Sequence, residues 1–296
     1  MISVIIPTHN RANLISRAIE SVRKQTIDDR IEIIVVSDGS TDNTREVVSG
    51  YSDVRFFEYF PGVNGNHARN TGVKNAGGDY VAFLDDDDEW LPEKLSRQIE
   101  AMQKENAGLS YTGVRIVYDN EGIQYLGRPG ESGDLKKRIL IDNCIGSTST
   151  VVVKKSLFEE AGGFDEKLGA LQDYDLWIRL CQLTRVSCIP EPMILYHNYT
   201  NKKQVSSDTK KYEDAFHAIE QKYAGELNKL SAEEEQRRTL EKLILLATKC
   251  MRNGNRKEAR RYARRMFSSG GKKSALKTFI ASLLPFRTVL KLRSKL

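Results

Sequence analysis

Four consecutive aspartates, Asp85 to Asp88, follow the apolar run Tyr80-Val81-Ala82-Phe83-Leu84 and precede Glu89 and Trp90. Carboxylates stacked where a buried strand ends repel one another and raise each other's pKa unless a cation sits among them. The chemistry this points to is capture of a hard divalent cation such as Mg²⁺. Such ions take oxygen ligands and are commonly shared between one or two carboxylates and substrate phosphates. A solvated acidic turn is the competing reading of the tract taken alone.

The elements that must deliver this tract have a repeating order. Ser3-Val4-Ile5-Ile6-Pro7 reads as a buried strand, and Leu14 to Gln25 as a helix with Leu14, Ile15, Ala18, Ile19 and Val22 on one face. Ile31 to Val36 is a second β-branched run, ending in the turn-rich Ser37-Asp38-Gly39-Ser40-Thr41-Asp42. Val54 to Tyr59 predicts a third strand, and His67 to Ala76 a short helix closed by Gly77-Gly78. Strand and helix alternating at this spacing predict an α/β fold with a doubly wound, mostly parallel sheet. Ligands of such sheets bind beyond the carboxyl ends of the strands, where Thr8, Asp38 and Asp85 would lie.

Five blocks then carry a family resemblance: Ser3 to Arg11, Ser37 to Asp42, Ala68-Arg69-Asn70-Thr71-Gly72, Phe83 to Asp88, and Gly162-Gly163-Phe164-Asp165-Glu166 followed by Gln172-Asp173-Tyr174-Asp175-Leu176-Trp177. Together they resemble family 2 glycosyltransferases of GT-A fold, over about residues 1–200 and in family order. The resemblance implies a Rossmann-like mixed sheet over residues 1–205. Within it, 1–105 would bind the nucleotide-sugar and 106–205 the acceptor. It places Pro7, Thr8, His9 and Asp38 around the base, with His9 stacking on uracil and Asp38 accepting from its imide N–H. On local grounds alone His9 is equally a surface imidazole and Asp38 a turn former.

The Asp-x-Asp element of the family maps to Asp85 and Asp87, with Asp86 between them. The ligands implied for Mn²⁺ or Mg²⁺ are Asp87 chiefly and Asp85 as helper, and Asp85 and Asp86 also border the nucleotide-sugar. Arg69 falls near the same pocket, toward phosphate or toward these carboxylates. Asp173 is implied as the base that deprotonates the acceptor hydroxyl, giving inversion in one displacement; Gln172 stands where the family often has Glu. As a helix-start residue Asp173 also suits capping. Asp175 is expected to serve structure or acceptor contact, and Trp177 and Leu180 the core rather than a sugar platform. His197, after the expected strand Met193 to Tyr196, is a candidate third metal ligand, although the family's usual histidine position holds Tyr199. A Gln-x-x-Arg-Trp block and multiple membrane spans, marks of chain-polymerising members, are absent from the sequence, so single transfers are expected.

Composition adds a second part. Of 296 residues, 1–205 carry 24 Lys or Arg against 30 Asp or Glu, and 206–296 carry 22 against 10, so the two parts are −6 and +12. Residues 206–296 predict basic helices: one through Leu243, Leu246, Ala247 and Cys250, a turn at Asn253-Gly254-Asn255, then Arg256 to Phe267. Lys272 to Leu296 mixes apolar and basic residues around Pro285, the composition of a helix lying in a membrane interface over anionic lipid. Packing of this helix back onto its own domain competes with that reading. Reader motifs for nucleic acid are absent, and the catalytic part is acidic, so nucleic acid is not an expected partner. Four cysteines without zinc spacing suit a reducing compartment, and no apolar stretch reaches the roughly 20 residues of a membrane span. A cytoplasmic enzyme at the inner membrane face is expected. It would move a sugar, chiefly from a UDP-linked donor, to a lipid-linked or surface-glycan acceptor. The alternatives are a silent sugar-nucleotide-binding scaffold of the same fold, disfavoured by four retained aspartates, and a nucleotidyltransferase, disfavoured by the lack of a Gly-rich basic loop.

Overall fold

The computed structural model describes residues 1–127, 130–198 and 209–295. Ile2–Thr8 (β1) is buried along its whole length, and Ile31–Asp38 (β2) nearly so, as unbroken apolar runs with both faces covered must be. Between them Ala12–Arg23 (α1) lays Ile15, Ala18, Ile19 and Val22 against the sheet. Thr44–Ser49 (α2) leads to Val54–Tyr59 (β3). Gly65–Lys74 (α3) starts earlier than its apolar pattern predicts, because the Asn64 side chain caps it by accepting from the N–H groups of Asn66 and His67. Tyr80–Phe83 (β4) follows. These four strands run parallel in the order β3-β2-β1-β4. The order reverses between β1 and β4, which opens a crevice past their carboxyl ends.

The remaining strands turn the sheet into a mixed one. They are Glu89–Trp90 (β5), then after Lys94–Lys104 (α4) Leu109–Tyr118 (β6), Ile123–Leu126 (β7) and Val152–Lys154 (β8). Lys155–Glu160 (α5), Gln172–Leu183 (α6) and Val186–Asn198 (β9) complete this part. β8 bridges β4 and β6 antiparallel, β6 pairs with β9 in parallel, and β5 and β7 add antiparallel to β9 and β6. The full order is β3-β2-β1-β4-β8-β6-β9-β5. The expected mixed α/β sheet is therefore present, with its parallel character concentrated in the first half. Register slips between β6 and β9 at Gly113, where an added Cβ would stand 2.3 Å from the Pro190 carbonyl oxygen, so the bulge needs glycine.

Among the described residues six helices follow: Thr209–Lys222 (α7), Ala224–Leu227 (α8), Ala232–Arg252 (α9), Arg256–Ser268 (α10), Lys272–Leu283 (α11) and Phe286–Arg293 (α12). A capping box of Ser231 and Glu234 starts α9, and α9 with α10 forms the expected hairpin. The tail breaks at Pro285 as predicted. Phe216 and Ile219 of α7 and Leu243, Leu246, Ala247 and Cys250 of α9 join the same core cluster as Phe83, Leu109, Phe164 and Trp177. The basic helices thus share a core with the sheet, which their opposite net charge did not foretell. The boundary between 205 and 206, Tyr199 and Leu296 lie outside the described residues.

Candidate active site

The crevice rim is built by three loops. Pro7 still pairs within β1, Thr8 is buried, and His9 emerges with its Nδ1 2.5 Å from the Asp38 carbonyl oxygen. Asn10 adopts φ 52°, and its Oδ1 accepts from the N–H groups of Thr41 at 2.7 Å and Asp42 at 3.3 Å, so the loops after β1 and β2 are tied together. Asp38 accepts through Oδ1 from the Val63 N–H at 2.6 Å. Gly39 has φ 68°, and a Cβ there would stand 2.5 Å from Gly62 N, which is why glycine follows Asp38. Pro7, Thr8, His9 and Asp38 therefore meet at one end of the crevice, as the sequence order implied.

At the end of β4 the four aspartates divide into two kinds. Asp88 is fully buried, accepts from Ser149 Oγ at 2.6 Å and from the His197 N–H at 3.2 Å, and is held well above the ordinary carboxylate pKa by burial and by Asp85 and Asp87. Asp86 is buried against Arg11, whose Nη1 donates at 2.7 Å; burial raises this carboxyl to about 6 against the pull of that guanidinium. Asp87 takes the same Nη1 at 2.6 Å and is also raised by burial. Asp85 accepts from Arg69 Nη2 at 2.5 Å and Thr148 Oγ1 at 3.2 Å. The side chains of Asp85 and Asp87 remain 27% and 16% exposed, so these two, not Asp86 or Asp88, present oxygen to the crevice.

Several carboxylates confined around two arginines, with burial pushing three of them up, form an all-oxygen donor set that fits a divalent cation. Among the described residues no group of three or more His, Cys, Asp or Glu side chains stands close enough together to hold a metal ion by itself. His197 does not join Asp85 and Asp87. Its buried ring is held by Asp119 Oδ2 at 2.8 Å, and its Nε2 stands 3.9 Å from Glu89.

Asp173 faces this cluster from the start of α6. Leu171 just before it takes φ 56°, a left-handed turn that is uncommon for a branched side chain and that aims the helix start inward. Asp173 Oδ1 accepts from the Tyr174 N–H at 2.7 Å, and Oδ2 from Asn143 Nδ2 at 3.5 Å. Burial lifts its pKa to about 6, opposed by the Tyr174 N–H and Arg69, reinforced by Asp85, and opposed again by Lys249 of α9. The carboxylate thus feels both the donor-side cluster and the C-terminal helices. Asp175 has the structural role expected of it: it is fully buried and bound by Arg179 Nη2 at 2.7 Å, Lys222 Nζ at 2.8 Å and Tyr223 OH at 2.8 Å. Trp177 and Leu180 are core.

Arg11, Thr148, Ser149, Asn143 and Lys249 had no assigned role in the sequence. Arg11 ends the first motif block and was findable there. The others come from loops and helices whose approach depends on tertiary packing.

The family model for glycosyl transferase family 2 matches residues 3–162. An uncharacterized glycosyltransferase of Haemophilus influenzae is 29% identical over 96% of this chain and 95% of its own. An Escherichia coli UDP-Glc:alpha-D-GlcNAc-diphosphoundecaprenol beta-1,3-glucosyltransferase is 33% identical over 70% of this chain and 80% of its own. Among solved structures, S. aureus TarS 1-349 in complex with UDP superposes with TM-score 0.59 at 18% identity, covering 98% of this chain and 90% of that one, a likeness of fold. By the extent of the family match and of these relatives, the chain belongs to glycosyl transferase family 2 and is a glycosyltransferase.

Proposed function

We propose that this glycosyltransferase moves a sugar, with inversion, from a UDP-sugar to a hydroxyl of a diphospholipid-linked saccharide at a membrane surface. The observation that carries the reading is the meeting of Asp173, lifted to about 6, with Arg69 and Asp85 across the switch-point crevice. His9 and Asp38 would hold the uracil, as the family resemblance implies. Asp85 and Asp87 would hold Mn²⁺ or Mg²⁺, which when bound supplies Lewis-acid neutralisation of the diphosphate. Arg69 fixes Asp85 in place through its Nη2 and is itself pinned by the Gly65 carbonyl at 3.2 Å and by the Phe164 ring at 5.6 Å. Asp173 takes the proton of the acceptor hydroxyl as its oxygen attacks the anomeric carbon and the C–O bond to the diphosphate breaks. A base with pKa near 6 is mostly ionised at neutral pH and still a competent proton acceptor.

Support for a lipid-linked acceptor comes from the named E. coli relative, and from a Campylobacter jejuni one, a GalNAc(5)-diNAcBac-PP-undecaprenol beta-1,3-glucosyltransferase, 36% identical over 60% of this chain and 59% of its own. Support for membrane contact comes from α11. Leu276, Phe279, Ile280 and Leu283, spaced as one helical face, are 61, 38, 50 and 55% exposed, with Lys272, Lys273 and Lys277 beside them. Leu292 of α12 is exposed as well, next to Lys291 and Arg293. No helix among the described residues is long and apolar enough to cross a membrane, so contact would be interfacial.

The test is a donor screen with the purified chain: UDP-glucose, UDP-galactose and UDP-N-acetylglucosamine, each with and without Mn²⁺. Polyprenyl-diphosphate-linked N-acetylglucosamine serves as acceptor, and released UDP is the readout. Metal-stimulated, acceptor-dependent release is expected. A folded chain that neither binds UDP nor releases it from any donor ends the proposal.

A further inference from the structure

A cavity of about 290 Å³ lies where residues 130–144 of the sheet half meet α7 and α9. Ile141, Leu171, Phe216, Ile244 and Leu245 give it apolar walls, and Asn143 lines it on the side that reaches Asp173. The cavity therefore begins one side chain away from the carboxylate that takes the acceptor's proton. Its builders come from both parts of the chain, so it exists only because the basic helices share the sheet's core.

Charge accounting inside the cavity excludes a phosphate. Arg138 is paired with Asp142 and Glu131, Lys242 with Glu220 at 2.8 Å, and Arg238 donates through Nη1 to the Leu140 carbonyl at 2.7 Å. The cations on its wall are thus matched by the protein's own acceptors, and an incoming diphosphate would have to break those pairs. Arg238 is buried, and its Nη2 faces Glu220 at 3.6 Å. Apolar walls, an aromatic ring and an amide together describe a neutral ring with an apolar face and hydroxyl edges.

We propose that this cavity is the subsite for the acceptor's sugar: a neutral pyranose packed against Phe216 and Leu245, with its reacting hydroxyl directed past Asn143 onto Asp173. The inference rests on the glycosyl-transfer reading above and adds that α7 and α9, beyond the span matched by the family model, select the acceptor.

The test reads saccharide binding without donor. Saturation-transfer NMR on the unmodified chain uses methyl glycosides of glucose, galactose and N-acetylglucosamine at millimolar concentration. At least one is expected to bind, and Leu245→Trp, which fills the cavity, is expected to weaken it by about tenfold or more, an effect of the size set by losing one packed ring. Leu245→Met, of similar volume, should keep it. Thr248→Tyr fills the same space from one helical turn on, should Leu245→Trp fail to fold. Binding that is absent in the unmodified chain, or unchanged in a folded filled variant, overturns the proposal. UDP calorimetry on the same samples reads the donor side separately: loss there counts against the glycosyl-transfer reading, while the saccharide signals alone decide the cavity.

Discussion

The donor and acceptor sides of the crevice both rest on carboxylates that desolvation raises, yet they are assembled by opposite means. On the donor side four neighbouring aspartates leave one turn after β4, and three of them, Asp85, Asp86 and Asp87, share two arginines, Arg11 from the loop before α1 and Arg69 from α3. On the acceptor side a single aspartate, Asp173, sits between a loop thirty residues upstream and a helix some seventy residues downstream. Asp86 and Asp173 are both raised to about 6 by burial, but Asp86 is clamped to a guanidinium and Asp173 only accepts a backbone N–H and a long amide bond. A clamped carboxylate is suited to hold charge in place, and a loosely bound one to take and release a proton. On the proposed reading, what shares its burial would sort the same residue type into ligand support and base.

The strongest way to break this contrast is Asp173→Asn. Losing a general base is expected to lower kcat by about 10³-fold while UDP affinity stays within about twofold. In the unmodified enzyme the rate should rise with pH through about 6 and then level, because the protonated carboxyl cannot accept the acceptor's proton. Asp173→Glu should retain an inflection in the acidic range. An equal fall in kcat and UDP affinity would remove Asp173 from its role as base.

The donor side is sharpened by Arg11→Met. Removing the partner of buried carboxylates is expected to destabilise the fold by about 2–3 kcal/mol, less than for a fully buried pair because Arg11 is partly exposed. The pH dependence has a definite sign. Asp86 is raised from 3.8 to about 6, so between those values the folded chain holds a proton that the unfolded chain releases, and stability falls as pH rises through that window. Without Arg11 the fall should be steeper. Urea midpoints of the variant and the unmodified chain should therefore converge toward pH 5 and separate at pH 7.5. A deficit that does not change with pH would show that Arg11 acts through packing alone.

The donor side was also the more legible in sequence. Its strands are unbroken apolar runs, its loops carry Asp, Asn and Gly at the turn positions, and its charged residues all fall before residue 90, within four motif blocks. Ile31 to Val36, Val54 to Tyr59 and the break at Pro285 could be read directly because local chemistry fixes them. What local chemistry does not fix is which loop reaches which. Asn143, Ser149 and Lys249 come to the site through the packing of β8, α6 and α9. The helix pattern of α9 announced an apolar face at Leu243, Leu246 and Cys250 without saying that it would cover the sheet beside Asp173. Net charge misled in the same place: the +12 part meets the core through an apolar face, with Arg238 and Lys249 among its basic residues turned inward.

A smaller effect is expected at the exposed face of α11. Leu276→Ser with Ile280→Ser removes apolar surface that is 61% and 50% exposed, so thermal stability should hold within about 1 kcal/mol. Partition onto vesicles rich in phosphatidylglycerol should fall by about tenfold, the scale of burying a few methylenes. Partition that is unchanged, or equally strong on neutral vesicles, would leave the face and its lysines without a membrane role.

The least effect is expected at His197, where sequence order and geometry part. Position after the expected strand Met193 to Tyr196 suggested a third metal ligand, but His197 lies within β9, its ring is turned to Asp119 and Glu89, and only its backbone N–H touches the acidic tract, through Asp88. His197→Asn keeps that N–H and loses one side-chain contact worth about 1 kcal/mol. The Mn²⁺ concentration giving half-maximal UDP binding should move less than about twofold, since Asp85 and Asp87 keep their places. A larger move, on the order of tenfold as for the loss of a ligand or of a group that orients one, would show that the ring leaves Asp119 when the donor binds.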